Sequence, residues 1–330
     1  MQCEDAGVTR DRRAALRRAG VLATVVRGVH ELRAGVPAAA LVAPRGVEPV
    51  PTPCVEPAVA PWPVPVVVPG RTSAVRDHDH DRRRAAWTAL LVLGPERAVA
   101  VGCCALALLG VQGLPLTIRP EAALPRADGR DIRAGQPRDG AVTRCFRTSD
   151  VVEVGGARVV EPALALAQAV CELGRENAVS VLDSALQRGL VAPGELARVR
   201  TLARGRRGAA RLADWWHLVD GRAQSPLETR ARLQCVDAGI PPDELQMPVH
   251  DATGRVVAHG DLGWVRRDGG LLLAEIDGAE PHSTPDALFH DRSRQNAIVA
   301  AGATLVRFTA ADIRTEHVVP STIRRHLASA

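Results

Sequence analysis

The chain of 330 residues contains no lysine and no tyrosine, and phenylalanine occurs only three times. Each of the 42 basic residues is therefore an arginine, and no catalytic or anchoring role can fall to a lysine. Cysteine is scattered: Cys3, Cys54, Cys103, Cys104, Cys145, Cys171 and Cys235 include no Cys-x-x-Cys pair, and their number is odd. That pattern argues against a structural zinc clip and against a disulfide framework, and leaves buried free thiols. No apolar run reaches the roughly 18 residues that suggest a membrane helix, so no span is expected. Met1 to Ala15 mixes acidic and basic residues around no apolar core. A secretory leader is therefore not expected, and the cytoplasm is the expected location.

What is present is ordinary for a folded protein, 46% hydrophobic and 24% charged residues. The length suits two or three units. A net charge of +5 is compatible with a phosphate-bearing partner, although abundant Ala, Arg, Gly, Val and Pro also indicate a GC-rich coding sequence. Near the N-terminus, Thr9 is placed to cap a helix carrying Ala14, Leu16 and several arginines, which Gly20 ends in a left-handed turn. Val21 to Val26 and Val29 to Leu32 then predict two strands about a turn at Gly28. Helix, strand, turn, strand is the back half of a winged helix. Residues 8–32, closing on Gly28-Val29-His30, resemble the N-terminal helix-turn-helix of the AbiEi antitoxin group, which implies DNA binding.

Residues 34–81 are expected to form a linker, because frequent proline removes backbone donors and forbids helix. The linker closes on Asp77-His78-Asp79-His80-Asp81, a run that could hold a metal ion or simply be solvated. From Arg82 the pattern turns helical, 114–160 is strand-rich, and helical spacing returns after Pro162, as at Val179, Leu182 and Leu186. Cys171, Trp215 and Trp216 are expected in the core. Residues 82–221 resemble the body of an AbiEi-like antitoxin domain, and a toxin is the partner that this likeness implies.

The chemistry concentrates in the last third. Ser225-Pro226-Leu227-Glu228 opens a predicted helix to about Ala238, followed by strands at 245–249, 256–264 and 271–276. Thr284-Pro285 begins another helix to about Ala301, then comes a strand at 304–308 and a last helix after Ala310. Asp261 lies on the second strand; Glu275 and Asp277 lie two apart at the end of the third and so share a face. Carboxylates at the mouth of a buried strand are costly without a cation, and Mg²⁺ (or Mn²⁺) is a hard ion that suits them.

This set of blocks, SPLE, HGDLGW, EIDG, His282, DRSRQN at 291–296 and LVRFTAADI at 305–313, resembles the very-short-patch-repair-like branch of the PD-(D/E)XK nucleases. Where that superfamily carries a lysine after Glu-x, this chain has Asp277. The resemblance implies an α/β fold, a restriction-endonuclease-like α-β-β-β-α-β core at 222–330. A partial winged helix (1–33), the linker (34–81) and a mainly helical α+β antitoxin-like domain (82–221) would precede it. It implies a metal-dependent DNA endonuclease with Asp261, Glu275 and Asp277 as metal ligands, and with Glu228 reaching the same ion or its water. His282 would be a general acid or base, and Gln295 would position the attacking water. Arg292 and Arg294 would contact phosphate, with Arg292 and Gln295 on a sheet-facing stripe shared with Val299. Plainer roles stay open: Ser225-x-x-Glu228 is also a capping box, Asp277-Gly278 also a turn, and His282 also a loop residue. The alternative function is a non-catalytic, antitoxin-like regulator or toxin-binding protein that keeps the nuclease fold as a scaffold.

Overall fold

The computed structural model describes residues 8–26, 29–32, 77–125, 137–146, 150–278 and 294–328. Within it the chain divides into two units, one formed by 1–108 with 116–161 and the other by 109–115 with 162–330. The protein is a mixed α/β structure with several sheets. Among the described residues no helix is long and apolar enough to cross a membrane.

In the first unit, α1 (Arg10–Arg18) starts where the Thr9 hydroxyl accepts from Arg12 N at 3.3 Å. It stops at Gly20, whose φ of 74° only glycine adopts without strain. Strands β1 (Leu22–Val26) and β2 (Val29–Leu32) pair antiparallel, and Val8, Leu16 and Leu22 form a small core with Leu32. Helix α2 (His78–Leu93) begins four residues ahead of Arg82, because the Asp77 carboxylate accepts from Asp79 N and His80 N, each at 3.0 Å. The acidic-histidine run is thus the first turn of a helix and not the end of a linker; residues 34–76 lie outside the described residues.

After α2 come β3 (Val99–Ala100), α3 (Gly102–Leu108), β4 (Glu121–Ala123), β5 (Pro137–Arg138), β6 (Ala141–Arg144), β7 (Val151–Val154) and β8 (Ala157–Val160). They build a six-stranded mixed sheet in the order β5-β6-β4-β3-β8-β7. The strand-rich reading of 114–160 therefore extends into a sheet that begins at Val99.

The second unit opens with α4 (Pro162–Val170), α5 (Arg175–Gln187) and α6 (Leu196–Ala203), and these belong with the C-terminal sheet. The boundary expected at 221/222 lies inside this unit, and the division falls at 161/162. Asp183 of α5, 1% exposed, accepts from Arg232 Nη2 at 2.8 Å, Thr229 Oγ1 at 2.9 Å and Asp220 N at 2.7 Å. Arg232 and Thr229 sit on α7 (Pro226–Asp237), so a buried ion pair ties α5 to it. Burial pushes the Asp183 carboxyl up to about 6, against the pull of the Arg232 charge.

Strands β9 (Glu244–His250), β10 (Val256–Val265), β11 (Leu271–Asp277) and β12 (Thr304–Thr309) form a sheet in the order β12-β11-β10-β9. β11 and β12 run parallel; the other pairs are antiparallel. One face packs Leu262, Trp264, Leu272, Ala274 and Phe308 against residues of α7, α9 (Ala310–Arg314) and α10 (Val318–Ala328). The other face carries Met247, Val249, Ala258 and Leu273 under Ile298 of α8 (294–300).

Candidate functional site

Alternation along β9 and β10 reverses partway. Leu245 and Leu262 face the α7 side, whereas Met247 and Ala258 face α8. The reversal sits at Gln246, whose φ is 52°, and at Asp261, which the pairs Gly260↔Met247 and Leu262↔Leu245 set opposite it. The β10–β11 ladder ends at Leu262↔Ala274, and the Asp261 carboxylate takes a further β11 amide, accepting from Ile276 N at 2.8 Å. Its other oxygen accepts from the Gln246 amide at 3.4 Å.

The same amide donates to Glu228 at 3.2 Å. Glu228 lies in the first turn of α7, where Ser225 caps it by accepting from Glu228 N at 3.2 Å. The Glu228 carboxylate reaches past the cap to Gln224 N at 2.9 Å, so only half of the capping box forms. One neutral side chain thus holds two enclosed carboxylates. Burial raises the Glu228 pKa, and the Asp261 charge adds to the rise, against hydrogen bonds from Gln224, Ser225 and Gln246. Asp261 is raised as well, first by burial, with Ile276 N–H, Gln246 and the Arg294 charge opposing and Asp277 adding.

Glu275, 5% exposed, belongs to a second cluster. Arg294 lies 2.9 Å from one of its oxygens and Arg307 2.9 Å from the other. Arg307 is its register partner on β12. Arg294 also donates to the His259 carbonyl, so it touches β10 and β11 together. Asp277 is exposed at the end of β11.

The residues read from the sequence therefore separate into a Glu228–Gln246–Asp261 group and an Arg294–Glu275–Arg307 group. Asp261, Glu275 and Asp277 are not gathered as one ligand set: among the described residues no three His, Cys, Asp or Glu side chains are placed to hold a metal. His282 and Arg292 lie outside the described residues. Gln295 is exposed, and Val299, expected to share its sheet-facing stripe, is 63% exposed while Ile298 is buried. The stripe runs instead through Arg294 and Ile298, four residues apart on the helix.

Sequence reasoning missed Gln246 and Arg307. Nothing around Gln246 signals its left-handed backbone. Arg307 could have been found, since it breaks the apolar run of a strand that must pair beside Glu275.

The donor chemistry fits a hard divalent cation at Asp261 with Glu228 beside it, because Mg²⁺ takes one or two carboxylates and completes its shell with water and phosphate oxygens. Glu275, with an arginine at each oxygen, does not fit as a ligand in this arrangement. No family model matches the chain. No solved structure matches it either. Over 175 residues it is 32% identical to two uncharacterized proteins of Mycobacterium tuberculosis, from strains CDC 1551 / Oshkosh and ATCC 25618 / H37Rv. The similarity takes in 53% of this chain and 63% of each relative, so the chain spans less than two thirds of the curated relatives it matches.

Proposed function

We propose that the second unit is a metal-dependent DNA endonuclease that hydrolyses phosphodiester bonds, on a restriction-endonuclease-like core. The observation that carries this reading is the pair Glu228, buried, and Asp261, half-buried, two carboxylates held by one neutral amide, with the Arg294 charge acting on Asp261. The order α7-β9-β10-β11-α8-β12, with β11 and β12 parallel, supports the core.

Mg²⁺ or Mn²⁺, when bound, would polarise the scissile phosphate and lower the pKa of a water. Asp261 would hold the ion, oriented by the Ile276 N–H, with Glu228 beside it and Gln246 giving way. Arg294 and Arg307 would pair with backbone phosphates, as guanidinium does well. Asp277 raises the proton affinity of Asp261 from the strand end. His282 would be the general acid or base and Arg292 a further phosphate contact.

The test is nicking of supercoiled plasmid by the full chain in Mg²⁺ or Mn²⁺. Asp261→Asn is expected to slow nicking by about tenfold or more, in line with losing a metal-ligating carboxylate. Nicking that is unchanged in Asp261→Asn would sink the assignment.

A second reading is favoured by the two arginines on Glu275. If they hold it permanently, the unit is a scaffold in a non-catalytic, antitoxin-like regulator that binds DNA or a toxin protein. Metal-independent binding of duplex DNA in a mobility-shift assay, with no nicking in any divalent ion, would select this reading.

A further inference from the structure

A cavity of about 380 Å³ lies in the first unit, lined by residues of the β1–β2 hairpin, α2 and the β7–β8 turn. Its size falls in the range of small-molecule sites, roughly 300–1,000 Å³. Val25, Trp87, Leu91, Leu108 and Val154 give it apolar walls. Charged groups line it as well. Glu31 is already paired there with Arg84 at 2.9 Å, and His80 Nε2 lies 3.1 Å from its other oxygen. His30 sits near Thr24 at 3.3 Å; burial, then Arg17 and Arg13, lower its pKa and favour the neutral ring.

Arg83 is different. It lines the cavity half-buried, and among the described residues it makes no hydrogen bond or ion pair. Its guanidinium keeps some access to solvent, and an anion seated in the cavity would meet it with a charge-assisted hydrogen bond. A neutral apolar ligand would leave Arg83 unpaired. Among the described residues a dianion would face Arg83 with Glu31 close by.

We propose that this cavity binds a small amphipathic monoanion, an aromatic carboxylate, with its ring on Trp87 and the aliphatic wall and its carboxylate on Arg83. The arginine–carboxylate pair sets the charge preference and the walls supply the rest of the affinity.

The experiment is calorimetric titration of the full chain with 1-naphthoate and with its neutral counterpart, 1-naphthalenemethanol. Naphthoate is expected to bind once per chain and roughly tenfold more tightly than the alcohol, the size of one charge-assisted hydrogen bond. Arg83→Gln should erase that preference while alcohol binding persists. Val154→Phe should weaken both ligands by filling the cavity, and Leu91→Phe repeats the test from the helix side. Thermal melts of each variant separate loss of binding from loss of folding. Absence of saturable naphthoate binding, equal affinity for the alcohol, or a preference that survives Arg83→Gln would each overturn the proposal.

Discussion

Arg232 spends its guanidinium inside the second unit, on Asp183 at 2.8 Å and on the Leu218 carbonyl at 2.6 Å. Such a pair is a poor source of net stability, since desolvation offsets most of the attraction. Breaking it is another matter. Arg232→Met leaves Asp183 buried with its cation gone, and urea unfolding should show a loss of about 3–5 kcal/mol. An equal stability of the variant would mean that Asp183 is protonated in the native state, which its raised pKa allows below about pH 6. At the same scale, the sequence singled out Glu228, Asp261 and Glu275, but not their separation into two clusters or the partners that hold them. Carboxylates are conspicuous at a strand mouth, whereas Gln246 looks like any polar residue until the fold brings it within reach of Glu228 and Asp261.

The elements were more readable than the contacts between them. Pro226 behind a Ser225 cap announces α7, and the apolar run Leu271-Leu272-Leu273-Ala274 announces a strand covered on both faces. The reversal of alternation in β9 and β10 was not readable, because a period of two is only a pattern and Gln246 abandons it through a backbone angle that its identity does not encode. Helix α8 carries the same lesson in another form. Choosing Val299 in place of Ile298 rotates the helix by about 100° and exchanges Gln295 for Arg294 on the sheet side. Close strand packing gives a test. A Cβ at Gly263 would stand 2.4 Å from the Met247 Cβ, so Gly263→Ala must push β9 and β10 apart. We expect it to cost about 1–3 kcal/mol in thermal or urea unfolding, and Met247→Ala should not rescue it, because alanine keeps the Cβ that is met.

For the molecule as a whole, the two raised carboxylates couple stability to pH and metal together. Glu228 and Asp261 have folded pKa values above their unfolded ones. Their contribution is therefore full below the unfolded pKa and is lost as pH rises through the folded pKa. A cation that binds the ionised form returns what was lost. Mg²⁺ should raise the Tm of the full chain more at about pH 8 than at about pH 5, a difference that Asp261→Asn removes. A shift independent of pH would place the ion elsewhere. The division of the chain supplies a second test at this scale. Residues 109–115 leave the first unit to join the second, where Gly113 O accepts from Asn177 Nδ2 at 2.6 Å and Gln112 N donates to Ser184 at 2.9 Å. Gly113 has φ +88°, and a Cβ there would lie 2.4 Å from the Ser180 Cβ. Gly113→Ala should therefore destabilise the second unit by about 2 kcal/mol or more, although the residue lies far from it in sequence.

That excursion also sets an order of events during synthesis. Residues 109–115 leave the ribosome before α5 exists, so the contacts of Gln112 and Gly113 with it must wait while 116–161, which belongs to the first unit, follows. Neither unit can close as a continuous piece of chain. Gln112 and Gly113 meet Ser184 and Asn177 across separations of 72 and 64 residues, long loops whose closure slows folding. A nascent chain halted before α5 would leave Gln112 and Gly113 without the partners they take in the second unit, which makes that stage of translation the one at which a chaperone has most to protect.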